Sequence, residues 1–218
     1  MYEMARETLN KDRIMRGALD VADAGGLAAL TIRSLAKQLD VKPMAVYHYV
    51  ANKDEILDGL VDLVFSEIEL PSPSGEWREE IGRRMVSARE ALRRHPWAVS
   101  LMESRSAPGP ASLSRHEATL ATLRQGGFTV VAAAHAYALI DSYVYGFVVQ
   151  ETSLPIGKPE DMGEVAAEIM ASFEGAYPYM AEIATQHVMK PGYDFGDEFE
   201  IGRELVLDAL ETLRQRGQ

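Results

Sequence analysis

Between Lys42 and Lys53 the chain gathers side chains suited to a polyanion. If Val46 and Val50, four residues apart, turn inward on a short helix, then Lys42, Pro43, Met44, Tyr47 and His48 turn outward. One cation, a phenol, an imidazole and two apolar tips make a poor solvated face. They fit a surface that meets phosphates and base edges. Lys53 opens the next helix, where a cation is locally unfavourable beside the positive helix end, and that conflict favours a function. Farther on, Arg89, Trp97, Met102, Arg105, His116, Tyr137, Asp141, Tyr145 and Phe173 mix apolar and polar types as a small-molecule pocket does. Arg93-Arg94-His95 reads as a solvated helix end. Other chemistries fall away. With no cysteine there is no thiolate zinc site and no cysteine nucleophile, and no Gly-x-Ser-x-Gly run occurs. His135 and Asp141, six apart, turn to different faces of a helix, and no His-x₃-His pair exists, so neither metal nor cofactor is expected.

The elements that must hold these residues are helical throughout. Ile14, Ala18, Val21 and Ala22 repeat at helical spacing until Gly25-Gly26, a predicted stop. Ile32, Leu35, Ala36 and Leu39 follow behind Thr31, a good N-cap. After a break at Asp40-Val41, Pro43 opens a brief helix to about Tyr49. The pair 31–39 and 43–49 has helix-turn-helix proportions, a unit whose second helix enters the DNA major groove. Asn52-Lys53-Asp54-Glu55 is a predicted capping box ahead of the stripe Ile56, Leu57, Leu60, Val61, Val64.

Leu70-Pro-Ser-Pro-Ser-Gly75 marks a joint. Beyond it, Trp77, Ile81, Met85, Ala88 and Leu92 stripe one helix. A short segment, 97–103, comes next, and then a helix built on Leu113, Leu120 and Leu123. Residues 129–152 read as a nearly all-round apolar helix, buried on most sides. A helix over about 161–177, an extension over 179–187 and a last one striped by Phe199, Leu205, Val206, Ala209, Leu210 and Leu213 complete an all-α chain.

Composition sets the frame. The 218 residues are 47% hydrophobic and 25% charged, which excludes a disordered chain, and the missing cysteines exclude a disulfide-stapled one. No signal peptide is read at the N-terminus. Asp141 within the apolar stretch argues for a buried protein helix rather than a membrane span, and a cytoplasmic protein is expected. The net charge of −11 divides unevenly: residues 1–53 hold eight basic and six acidic side chains, the remainder 14 and 27. A mildly basic head on an acidic body leaves nucleic-acid binding open if the head does the binding.

The run from Leu30 through Ser34-Leu-Ala-Lys-Gln-Leu39, Val41-Lys-Pro-Met-Ala-Val-Tyr-His-Tyr-Val50 and Asn52-Lys53 to Leu57 resembles the DNA-binding head of the tetracycline-repressor family. Tyr143-Val-Tyr-Gly-Phe-Val-Val-Gln150 is similar to the long dimerisation helix of members nearest the tetracycline repressor itself. The resemblance implies an all-helical protein with a helix-turn-helix head at 1–57, a connecting helix at 53–68 and a ligand-binding, dimerising body at 69–218. It implies DNA contacts by Thr31, Arg33, Lys42, Pro43, Met44, Tyr47, His48, Tyr49 and Lys53. Asp40 stands where the family usually has Gly, and Asp tolerates a left-handed backbone. The implied function is a ligand-responsive regulator, a repressor that releases a palindromic operator when a small molecule binds. The apolar faces at about 129–152 and 198–215 are too wide for one body to cover and predict a homodimer through Tyr137, Val144, Val148, Leu205 and Leu210. A helical small-molecule binder or catalyst not acting on DNA, and an adaptor using the acidic body, are the rival readings.

Overall fold

In the computed structural model the described residues are 8–102, 109–154, 167 and 176–216, and no strand forms among them. Asn10 starts α1 (Lys11–Ala29) by accepting the Arg13 amide at 2.8 Å, and Ile14, Met15, Ala18 and Ala22 bury one face. The predicted stop at Gly25-Gly26 is instead a kink. Gly26 takes φ +71°, which glycine adopts freely, and one more helical stretch reaches Ala29. Thr31 caps α2 (Ile32–Gln38) with a reciprocal Ser34 bond. Pro43 opens α3 (Pro43–Val46), and Asn52 caps α4 (Lys53–Ser66) at the Glu55 amide. The Glu55 carboxylate takes the Ala51 amide, one residue earlier than a capping box requires.

The body comprises α5 (Trp77–Arg94), α6 (Trp97–Met102), α7 (Pro110–Gln125), α8 (Val130–Ser153), α9 (Pro178–Ile183) running into a π-helical turn (Ala184–Val188), and α10 (Glu198–Arg216). Trp77, Ile81, Met85, Ala88 and Leu92 are all buried, as their spacing predicts. α8 is the hub, packed by α5, α7 and α10. Its start is fixed by Phe128, whose ring meets Trp77 edge-on at 5.0 Å. Gly126 lets that turn approach Trp77, since a Cβ there would lie 2.6 Å from the Trp77 Cβ. α7 departs from expectation. Leu113 is exposed, and the inward face is Ser112, Arg115, Thr119, Thr122 and Leu123. The helix predicted over 161–177 lies largely outside the described residues. One continuous apolar core joins head and body, with α4 touching α1, α5, α6 and α7. No helix among the described residues is long and apolar enough to cross a membrane.

Candidate functional site

The head presents its expected face. Val46 and Val50 are buried against Leu35 and Leu39, while Lys42, Pro43, Met44, Tyr47, His48 and Tyr49 are exposed, Met44 at 70%. An exposed methionine beside two exposed tyrosines is costly in water unless something covers it. The turn that aims this face is well held. Asp40 adopts φ +54°, the Val41 amide reaches the Ala36 carbonyl at 2.9 Å, and Arg13 of α1 donates to the Leu39 carbonyl at 3.0 Å. Arg33 and Lys53 flank the face and are exposed. The Thr31 hydroxyl accepts the Ser34 amide at 3.0 Å, so it is engaged in capping α2. Lys11 pairs with Glu55 at 2.6 Å and, with the Ala51 amide, holds that carboxyl below its usual range.

Two clusters join head to body, and neither was expected. Asp62 of α4 accepts the Ala111 and Ser112 amides at 2.8 and 3.1 Å, so a helix that starts in the head caps α7. Asp23 of α1 accepts His95 Nδ1 and Trp97 Nε1, each at 2.7 Å, and His95 Nε2 lies 3.1 Å from Glu67 at the end of α4. His95 is therefore not a solvated helix end but is 5% exposed, and Arg94 beside it pairs with Glu67. Trp97 sends its indole N–H to Asp23 of the head.

At the centre of the body four of the nine expected pocket residues do converge. Asp141 on α8 accepts Tyr145 Oη at 3.1 Å, and Tyr137 stacks on His116 with ring centroids 4.1 Å apart and its hydroxyl 3.1 Å from His116 Nδ1. The spacing argument missed two partners: Arg84, 1% exposed, contacts Asp141 Oδ1 at 2.6 Å, and Arg115, also buried, lies 3.4 Å from Oδ2. Burial raises the Asp141 carboxyl, but the two guanidiniums outweigh it and hold it below its usual range. Burial pushes the Tyr137 phenol up to about 12 and raises Tyr145 as well, so both stay neutral hydrogen-bonding groups. Burial, then Arg115, lowers His116. Arg89 is elsewhere: it grips Glu151 at 2.6 and 3.0 Å and lies over Phe147 and Phe199, tying α5 to α8 and α10. Met102 is half-buried on α6, and Arg105 and Phe173 lie outside the described residues. No group of three metal-ligating side chains assembles among the described residues.

The residues expected at a subunit interface divide. Val144, Val148 and Leu210 are fully buried within the protomer, while Tyr137 is half-buried and stacks on His116. Leu205 is 65% exposed, and Ile201 on α10 and Val131, Leu139 and Val149 on α8 are exposed too. An all-round apolar helix gives no hint of which side its own protomer covers.

Residues 14–60 match the family described as bacterial regulatory proteins, tetR family, and residues 70–214 match the tetracyclin repressor-like C-terminal domain. An HTH-type transcriptional regulator of Saccharopolyspora erythraea is 34% identical, covering 79% of this chain and 74% of its own. The HTH-type transcriptional repressor DrrR1 of Streptomyces coeruleorubidus is 33% identical over 98% of this chain and 82% of its own. Among solved structures, the TetR family protein ActR of Streptomyces coelicolor in complex with actinorhodin superposes with a TM-score of 0.78 at 28% identity, covering 94% of this chain and 98% of that one. With a family match over each end and relatives spanning nearly its whole length, the chain belongs to the tetracycline-repressor family of transcriptional regulators.

Proposed function

We propose that the chain acts as a cytoplasmic homodimeric repressor, with a DNA-binding head at 1–57, α4 as the connecting element and a sensing body at 69–218. Two α3 helices, one from each protomer, read successive major grooves of a palindromic operator about 34–36 Å apart. Lys42, Pro43 and Met44 meet base edges, while Arg33, Tyr47, His48, Tyr49 and Lys53 meet the backbone. A small molecule in the body favours the state whose heads no longer match that spacing, as the ligand-bound ActR structure supports by likeness. We read the body as a sensor, not a catalyst. The exposed apolar faces of α8 and α10 support the dimer. The observation that carries the reading is the solvent-facing set Lys42, Pro43, Met44, Tyr47, His48 and Tyr49 on a braced helix-turn-helix.

The test is binding to DNA flanking the protein's own gene, measured by fluorescence anisotropy across a salt series. Lys53→Ala lowers affinity for all sequences alike and reduces the salt slope by roughly one unit, and Tyr47→Phe weakens binding uniformly. Replacing Lys42 or Met44 changes which sequence is preferred. If neither Lys53→Ala nor Tyr47→Phe alters affinity, the groove assignment is wrong.

A further inference from the structure

We infer that the charged centre of the body is built to receive an organic anion, whose carboxylate or ionised phenol completes the partnering of Arg115. The inference rests on reading the body as a sensor and names the chemistry that the sensor recognises.

The charges at this centre are unevenly shared. Arg84 comes from α5, Arg115 from α7 and Asp141 from α8, and among the described residues the side chains around them (Tyr137, Tyr145, His116 and Phe65) bring no second carboxylate. Among the described residues, two buried guanidiniums therefore share one carboxylate. The pairing is also unequal. Arg84 Nη2 holds Asp141 Oδ1 at 2.6 Å, whereas Arg115 Nη1 reaches the same carboxylate only at 3.4 and 3.5 Å. Asp141 lies closer to Arg84, and Arg115 makes the longer contacts. Its Nε, with Nε and Nη1 of Arg84, is buried and makes no hydrogen bond. Buried polar groups are nearly always satisfied, and a buried charge whose hydrogen bonds are incomplete costs more still. An anion seated beside these nitrogens would satisfy them.

The surroundings indicate what kind of anion. The Arg115 guanidinium lies 4.4 Å over the Phe65 ring, and both guanidiniums lie 5.9 Å over the Tyr137 ring, whose other partner is the His116 imidazole. Rings on this scale suit a flat organic molecule more than a hydrated inorganic ion. The neutral phenols of Tyr137 and Tyr145 add hydrogen-bonding groups without adding charge. Phe65 also gives the site a lever. It sits on α4, so an anion that draws Arg115 toward itself withdraws the guanidinium from the helix leading to the head.

The experiment uses the full-length protein without DNA and 2-naphthoate, with 2-naphthamide as its uncharged counterpart, at constant ionic strength. 2-Naphthoate at millimolar concentration raises the midpoint of thermal unfolding by about 2–4 °C, and the amide leaves it unchanged. Arg115→Met keeps the volume over Phe65 and removes the guanidinium. The midpoint of the ligand-free variant rises, and 2-naphthoate no longer shifts it. A variant less stable than the parent shows Arg115 to be a structural ion-pair member and overturns the inference, as does equal response to acid and amide or no response to the acid. None of these readouts involves DNA, so failure here and failure of the operator series are told apart.

Discussion

The contact between Asp23 and the pair His95–Trp97 allows a worked prediction. A single carboxylate oxygen, Asp23 Oδ1, takes both the imidazole Nδ1 and the indole Nε1 at 2.7 Å. Asp23→Ala leaves two donors on residues that are almost fully buried. Each unsatisfied buried donor costs about 1–3 kcal/mol. The Asp23 side chain is a third exposed, so water enters the space it vacates and relieves part of that cost. A net loss of about 2 kcal/mol follows, and at ~2–4 °C per kcal/mol for a chain of this size the midpoint falls by ~4–8 °C. Asp23→Asn retains a carbonyl oxygen for the indole and loses about half as much. Urea unfolding followed by far-ultraviolet circular dichroism gives the free energies, and the Trp97 emission reports the broken contact directly. Because Asp23 touches none of the proposed phosphate-binding residues, operator affinity falls through a less well-oriented head, and its salt slope stays unchanged. A loss below about 0.5 kcal/mol, with Trp97 emission unaltered, refutes the latch.

The exposed faces of α8 and α10 give a second expectation. Leu139→Glu combined with Leu205→Glu leaves each protomer folded but shifts sedimentation from about twice 24.1 kDa to a monomer that no longer binds operator. A folded double variant that still sediments as a dimer overturns the assigned face; Val148→Glu would place a charge in the protomer core and test folding instead. Third, the Asp141 carboxyl is depressed in the native state, so its contribution is complete above its unfolded value near 4 and is lost as pH falls through the lower native value. Asp141→Asn costs about 3 kcal/mol at neutral pH, because it strands Arg84, and the deficit shrinks below about pH 4. A deficit constant from pH 7 to pH 3 excludes this linkage.

The head was readable from its sequence because its signals are local. Thr31 and Asn52 cap the helices they precede, Pro43 opens α3, and Asp40 takes the left-handed turn, each within four residues of the feature it decides. The body is governed by contacts across long stretches of chain. His95 finds Asp23 72 residues earlier and Glu67 28 residues earlier, and nothing near the Arg93-Arg94-His95 run signals either partner. Composition misled at α8, where an apolar surface on every side hides the distinction between Val144 or Val148 inside and Leu139 or Val149 outside. It misled again at Arg84, since arginine normally reads as solvent-facing. Register did hold a clue. Arg84 falls three residues after Ile81 and four before Ala88, inside the stripe that α5 buries. A charged residue in a buried stripe must have a partner, and Asp141 within the largely apolar α8 was the matching anomaly.

These contacts also bound the energetics of switching. The body holds α4 at three successive points along its length: Asp62 at the α7 amides, Phe65 beneath Arg115, and Glu67 against Arg94 and His95. The head's own α1 is held separately through Asp23. A ligand shifts operator affinity only by its differential affinity for the two states, and couplings of ~1–3 kcal/mol correspond to ~5- to 150-fold changes. That is the scale of one buried hydrogen bond or one cation–π contact, so a molecule that alters a single one of these points suffices. The Arg115–Phe65 contact is the one that borders the charged centre directly. By reciprocity, operator DNA must weaken effector binding by the same factor, and the head need not unfold or detach for that to happen. With Asp62 still capping α7 and Asp23 still holding Trp97, a tilt of α4 about those retained contacts would, in the proposed dimer, change the spacing of the two heads while leaving each head's internal packing intact.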